Sequence, residues 1–555
     1  MDKGLRISSL TFIVLCFCYG FDVHAQGIPV HPNNDEIYEF LDELAALHVI
    51  QINDAIKPFS RTLIASKLED AAKCRNDLSI RQQKELDFYL KEFEKELGTS
   101  EGGDHLFRRI RYFKNQYDRR ADLFFYRDSL FTMWVNPIGG YHQFINKDTS
   151  FFNRWSGLEA SAYVGDHWAF YVSFRDHTLT YNLKNKSYLT TWEAMDNKGD
   201  PNTKQVYFSD MRGGLSYQWD WGSVSFVKDH FIWGTNYHNS IIFSGRTPSF
   251  TMIKLQILPV KWFEFNYVHG FLNSEVMDSS KIVNWPSGAK SREWYPKFLA
   301  ANMYSLHLWK YLTLSMGNSM IYSNRIQAAY LIPFILFKSV EHTISMSNEN
   351  NAQIFLNISS RNIKHLHLYG GFYVDEFSFS KMLDSAQHSN WFGMKAGFRL
   401  SDLPRNLYFT AEWTRTNPMI YKHYFPTSTF ASNNYCLGYY LGDNAREYFF
   451  ALAYKPIRGL DLRMEYVYAD KGPDYPDKSP RRIYSLGKRF MDKVEWSQRS
   501  ISFRASYQLF HDAFIYAELS HSNITAIDQA TLNKYTAPFY QGKKFITSFG
   551  VNFSY

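Results

Sequence analysis

The stretch LDLRMEYVYA, from Leu460 to Ala469, decides how the chain is to be read. Leu460, Leu462, Met464, Tyr466 and Tyr468 fall on one side of an extended backbone, and Asp461, Arg463 and Glu465 on the other, because side chains alternate across a strand. The same period of two recurs elsewhere. From Trp168 to Arg175, Trp168, Phe170, Val172 and Phe174 oppose Tyr171, Ser173 and Arg175. From Ile501 to Leu509, Ile501, Phe503, Ala505, Tyr507 and Leu509 oppose Ser502, Arg504, Ser506 and Gln508. Gly165-Asp166, Arg458-Gly459 and His511-Asp512 supply tight turns beside such runs. Each strand has one strongly apolar face and one polar, often charged, face.

Composition narrows the class. The 555 residues include 47 Phe, 39 Tyr and 14 Trp, so 18% are aromatic, roughly double an ordinary globular load. Collagen, coiled coil and intrinsic disorder are excluded on that ground. Beyond residue 25, the longest strongly apolar run is Tyr330 to Phe337, which contains Pro333; a spanning helix needs about 20 residues. Mean hydropathy is low at −0.36. What remains is a large soluble protein or a transmembrane barrel, whose alternating strands keep hydropathy low. Aromatic residues near strand ends favour the barrel, since they suit a membrane interface. So does the alternation of Phe545, Thr547, Phe549, Val551, Phe553 and Tyr555, which looks like the assembly signal of bacterial outer-membrane barrels. The last strand must then pair with the first, leaving no open edge in lipid. At roughly 25 residues per strand with its loops, residues 105–555 predict an all-β transmembrane barrel of about 18 antiparallel strands, with 16 as the near alternative.

The N-terminal part reads differently. Lys3 and Arg6, the apolar stretch Leu10 to Tyr19, and Val23-His24-Ala25 read as a signal peptide over residues 1–25. Only Cys74 and Cys436 remain beyond it, so no disulfide framework is expected. Residues 26–104 are expected to form a small periplasmic helical region. Ile37, Phe40, Leu41, Leu44 and Leu47 share a helical stripe after Asn33-Asn34; Ser60 caps a second helix, and Ser79 with Gln82 forms a capping box for a third that Gly98 stops. Thr99 to Asp104 reads as a linker, residues 105–555 as the barrel, and Asp470 to Ser500, rich in proline and charge, as a long extracellular loop.

The residues point away from catalysis. No phosphate-cradling loop, nucleophile elbow or zinc-protease helix is present, and no enzyme activity, cofactor or metal is expected. Asp375 and Glu376 are adjacent, so on a strand they point to opposite faces and cannot flank one glycosidic bond. Alternation places Leu366, Leu368, Phe372 and Val374 toward lipid, and His365, His367, Tyr369, Tyr373 and Asp375 toward the lumen. Arg175, Glu264, Glu412, Asp461, Arg463, Glu465 and Glu518 fall on polar faces, so the lumen is expected to be laced by ion pairs and blocked rather than lined by one sign. Trp285, Trp294, Tyr295, Tyr421 and Tyr424 are placed to stack on sugar rings from loops. The net charge of +7, with basic clusters at Arg108-Arg109-Ile110-Arg111 and Arg119-Arg120, suits anionic lipid headgroups and lipopolysaccharide rather than nucleic acid.

Several blocks resemble the Bacteroidetes branch of the capsule-assembly Wzi family of outer-membrane proteins. They are IYEFLDELAALHVI and KPFSRTLIASKL from Ile37, WGTNYHNSIIFSGRTPSF (Trp233 to Phe250), YLIPFILFKSVEH (Tyr330 to His342), LYGGFYVDEF (Leu368 to Phe377), AEWTRTNPMIYKHY (Ala411 to Tyr424) and LGYYLGDNAREY (Leu437 to Tyr448). Tyr330 to His342 is similar to that family's proline strand. Trp233-Gly234 continues with Thr235-Asn236 where a Pro-Gly type continuation is expected. The resemblance implies an 18-stranded outer-membrane barrel with periplasmic helices that attaches or assembles capsular or exopolysaccharide at the surface, lectin-like and non-catalytic. It carries over Asp375, Glu376, Glu412, Arg415, Tyr421 and His423 as glycan-binding or structural residues. The alternatives are a solute channel, or a structural component of gliding-motility or secretion machinery that meets a periplasmic or outer-membrane protein through residues 26–104.

Overall fold

In the computed structural model, residues 27–32, 35–100, 103–108, 122–181, 183, 185–195, 205–285, 290–291, 293–344, 349–475, 486–510 and 513–553 are described. The signal-peptide reading, Asn33-Asn34, Arg109 to Arg111, Arg119-Arg120, His511-Asp512 and Tyr555 lie outside them.

Three helices come first: α1 (Asp35–Ala46), α2 (Arg61–Lys73) and α3 (Ile80–Glu92). Ser60 caps α2 by accepting from Leu63 N–H. Ser79 and Gln82 form a reciprocal capping box on α3, satisfying two donors that the first turn leaves orphaned. α3 ends at Glu92, earlier than the stop expected at Gly98, which sits at a φ of 71° in the turns that follow. Ile37, Leu41, Leu44, Ile64, Leu68 and Leu86 pack these helices into their own core. Among the described residues no helix is long and apolar enough to cross a membrane. The stretch read as a linker runs into a short strand, Gly103–Arg108, paired with Asp122–Arg127.

Eighteen antiparallel strands then close a barrel. They are β1 (Phe131–Ile145), β2 (Ser150–Val164), β3 (Trp168–Leu179), β4 (Val206–Trp219), β5 (Gly222–Asp229), β6 (Phe250–Val260), β7 (Phe263–Met277), β8 (Trp294–Leu308) and β9 (Leu312–Ser323). The second half comprises β10 (Asn351–Ile363), β11 (Leu366–Glu376), β12 (Trp391–Ser401), β13 (Leu407–Thr416), β14 (Ala445–Tyr454), β15 (Leu460–Lys471), β16 (Trp496–Phe510), β17 (Ala513–Ala526) and β18 (Gly542–Phe553). β18 closes on β1, from Thr547 opposite Ile145 to Phe553 opposite Gly139, while Asp122–Arg127 continues along the same edge of β1. The terminal alternation is therefore the closing strand, whose pairing with β1 joins the two edges of the eighteen-strand sheet. Short turns alternate with long loops, giving a short-turn end and a long-loop end.

The period of two sorts the side chains as expected. Trp168, Phe170, Val172 and Phe174 are exposed on the outside while Arg175 is buried within; Met464, Tyr466, Ile501 and Phe503 are likewise exposed outward. In β11, Leu368 is outward and His367, Tyr369 and Tyr373 are buried inward. His365 departs from that series, because it sits in the turn before β11 at a φ of 69° rather than on the strand. The long-loop reading of Asp470 to Ser500 also shortens, since β15 runs to Lys471 and β16 begins at Trp496.

Two connections depart from a simple barrel. The 230–249 loop dives into the lumen, where Ile232–Trp233 pairs with Ile56–Lys57 from the N-terminal region. With the 417–444 loop it builds an apolar core around Trp233, Phe243, Phe430, Leu437 and Tyr439 inside the barrel. The 324–350 loop instead folds down the outside of the wall. Tyr330 to Phe337, similar in sequence to a proline strand, is instead the end of a 3-10 turn (Ala328–Leu331) and an irregular stretch leading into α4 (Phe337–Ile344). Pro333 lacks an N–H for a ladder, and the carbonyls of Pro333 and Ile335 accept instead from Asn302 Nδ2 at 2.8 and 3.0 Å. Asn318 Oδ1 accepts from Phe337 N–H at 3.0 Å. Phe334 stacks on the outward Phe265 at 4.4 Å between ring centroids, and Leu331, Ile332 and Leu336 of the same stretch are exposed.

Candidate functional site

The lumen is locked by charge. On α1, Glu39 and Asp42 lie opposite the helix's apolar stripe and meet cations of the wall, while Glu43 pairs with Arg81 of α3. Glu39 bonds Arg463, with Lys455 at 2.6 Å and Arg399 at 3.3 Å. Asp42 sits 2.5 Å from Arg361, and Asp54, on the segment after α1, 2.7 Å from the same guanidinium nitrogen. His367 Nε2 is 3.1 Å from Asp54. Burial alone would raise the pKa of Glu39, but Arg463, Lys455 and Arg399 outweigh it and hold the carboxyl well below its usual range. Asp42 and Asp54 behave alike: burial works against ionisation and Arg361 overrides it.

The 230–249 loop is stitched into this network. Thr235 donates its hydroxyl to Asp54 at 3.0 Å, and Tyr237 donates its hydroxyl to Asp42 at 2.8 Å. The backbone N–H of Tyr237 donates to Glu412 at 2.7 Å. Thr235-Asn236, the departure from the expected Pro-Gly, thus supplies a hydroxyl that a proline could not. Asp42, Asp54 and His367 converge closely enough to hold a metal ion, but Arg361 already occupies the space between the two carboxylates.

The six residues singled out in the sequence fall into different surroundings. Asp375 and Tyr421 meet: Asp375 Oδ2 accepts from the N–H of Tyr421 at 2.7 Å, and the Tyr421 hydroxyl donates to the carbonyl of Ile241 at 2.6 Å. Glu412 faces the lumen from β13, bonded to Lys395 and to the Tyr369 hydroxyl, both at 2.7 Å. Arg415, three residues on, points to the other face of the wall, where its guanidinium lies 3.8 Å from the centroid of Phe490 and Nε donates to Asn417. Glu376 stands at the long-loop end of β11. His423 is at the rim, its ring 4.5 Å from that of Tyr424. Asp375, Tyr421 and Glu412 therefore brace the in-folded loops, whereas Glu376, Arg415 and His423 sit at the rim.

Other rim side chains are available to a ligand. Trp285 and Trp294 are 57% and 42% exposed, whereas Tyr421, grouped with them in the sequence, is buried. Lys422 and Lys534 converge on Asp474 at 2.5 and 2.6 Å. Burial would lower the Lys422 pKa, but Asp443 and Asp474 outweigh it and raise it above its ordinary value.

The sequence reading missed Glu39, Asp42, Asp54, Tyr237, Arg361 and Arg399. A charged helix face reads as solvated until a partner is known; the available signal was a polar stripe on α1 together with lumen-facing cations of β10, β12 and β15.

No protein-family model matches the chain, and no curated protein sequence matches it. Among solved structures, it is similar to Wzi of Escherichia coli, described as an outer-membrane protein involved in group 1 capsule assembly and a carbohydrate-binding β-barrel. Identity is 11%, 96% of this chain and 100% of that chain are covered, and the TM-score is 0.57. OccAB2 of Acinetobacter baumannii matches at 10% identity over 76% of this chain and 97% of that one, with a TM-score of 0.42. OprD of Pseudomonas aeruginosa matches at 11% over 76% and 94%, with a TM-score of 0.39. The likeness to Wzi is one of fold.

Proposed function

We propose that this chain is an outer-membrane β-barrel that attaches or assembles capsular or exopolysaccharide at the cell surface, by lectin-like binding at its long-loop end. The observation that carries this reading is the filled lumen. Trp233, Phe243, Phe430, Leu437 and Tyr439 are each at most 3% exposed inside the barrel, and the surrounding charges are paired across the wall. An interior packed to this degree leaves the rim as the face that meets a large extracellular ligand, and weighs against a solute channel. Exposed Trp285 and Trp294 offer the apolar planes on which sugar rings stack, and Glu376, Arg415 and His423 offer polar groups beside the same end. Asp375, Glu412 and Tyr421 act by holding the in-folded loops in place.

A strain lacking the gene tests this reading. The expected result is polysaccharide still made but shifted from the cell-bound fraction to the medium. An unchanged ratio would sink it and leave the motility and secretion reading.

A further inference from the structure

His31, Glu193 and His230 come from three segments distant in sequence: residues 27–32, the 180–205 loop and the 230–249 loop. Their ligand atoms all lie within 4.8 Å of one another. His31 Nε2 is 3.0 Å from Glu193 Oε1, and the two imidazoles meet edge to face with centroids 5.4 Å apart. His230 Nδ1 lies 3.1 Å from the carbonyl oxygen of Gly245. With Nδ1 donating to that oxygen, the lone pair of His230 is on Nε2, the arrangement by which a carbonyl orients a metal-bound histidine. Both histidines are buried, while the Glu193 side chain keeps 35% of its surface accessible, so the cluster has one open side. Arg212 faces carboxylates, with Asp210 at 3.1 Å and Asp229 at 4.0 Å.

We propose that His31, His230 and Glu193 form a binding site for a divalent transition-metal ion of the zinc class, with a fourth position left to water on the Glu193 side. Two imidazoles and a carboxylate are a donor set that zinc accepts, and tetrahedral bonds of about 2.0–2.2 Å place ligand atoms about 3.4 Å apart, within the spread seen here. The ion joins the N-terminal segment to both loops and so staples the interior.

Co2+ titrated into the chelator-stripped, full-length barrel in detergent tests the site. One Co2+ per chain, with visible d–d absorption that Zn2+ displaces, is expected. His230→Ala, His31→Gln and Glu193→Gln should each weaken binding about tenfold or more, while heat-modifiable migration reports that the barrel is still folded. Glu193→Gln, partly exposed and isosteric, keeps the test sound should a histidine variant misfold. Absence of stoichiometric Co2+ and Zn2+ binding would overturn the proposal and leave the three side chains as a hydrogen-bonded contact. Binding unchanged in the folded variants would also overturn it.

Discussion

Arg361 stands between Asp42 and Asp54 with its charge shared by both, at 2.5 and 2.7 Å. Removing one member of a buried ion group leaves the others desolvated and uncompensated, which costs more than the group contributes when intact. Arg361→Leu is therefore expected to destabilise the lumen by about 3–5 kcal/mol, read as a fall in thermal stability and as protease access to α1. Replacing Arg361, Asp42 and Asp54 together by apolar residues should cost less than the single change, and a larger cost would contradict this account. A smaller effect is expected at Tyr421. Tyr421→Phe removes one hydroxyl donor to the Ile241 carbonyl, worth about 1 kcal/mol, so it should loosen the loop contact without unfolding the barrel.

At the scale of elements, α1 is held in the lumen by carboxylates whose pKa values lie below their ordinary values of 4.5 for Glu39 and 3.8 for Asp42 and Asp54. With folded-state values depressed, the unfolded chain takes up protons first as pH falls. The stabilisation is thus complete above about pH 4.5 and is lost below it, as pH drops through the depressed values. Protease sensitivity of α1 measured from pH 7 down to pH 3 should stay flat until the carboxylate range and rise only below it; a transition near pH 6 would point to histidine instead. The 324–350 loop gives a second test. On the proposed membrane placement, irregular backbone against the outer wall survives only where its polar groups are satisfied by protein, and Asn302 and Asn318 supply such partners. Asn302→Leu should raise hydrogen exchange over 330–344 by an amount equivalent to about 1–3 kcal/mol, while the strand ladder of β8 and β9 keeps its protection.

For the molecule as a whole, the proposed anchor and a solute passage make opposite demands on the interior. At the short-turn end a cavity of about 1090 Å3 lies between the N-terminal helices and the wall, while the core built by the two in-folded loops packs the interior. Reconstituted in a planar bilayer, the protein is expected to show no steady conductance. Shortening the 230–249 loop should open one, because Trp233 and Phe243 leave the lumen with it. Steady conductance of the unaltered protein would contradict the filled interior.

How far the sequence alone reached follows from the range of each interaction. Alternation at Leu460 to Ala469 and its counterparts is local, because strand geometry sends successive side chains to opposite faces whatever lies beyond. It sufficed for the barrel, for a strand number near 18 and for the lumen position of His367, Glu412 and Arg463. The helix caps at Ser60 and Ser79 were legible for the same reason, since donor and acceptor lie within three residues of each other. The closing strand followed from the cost of an open edge in lipid. The sequence could not say where loops go, because a loop's path is set by whichever distant surface buries its apolar residues. One run of Ile and Phe, at 241 to 243, turns into the lumen; another, at 330 to 337, lies on the outer wall, and both are equally apolar in the chain. Nor could it pair Glu39 with Arg463 or Asp54 with Arg361, hundreds of residues apart, or bring His31 to His230. Those contacts exist only once the barrel has closed and set the wall around the segments that fill it.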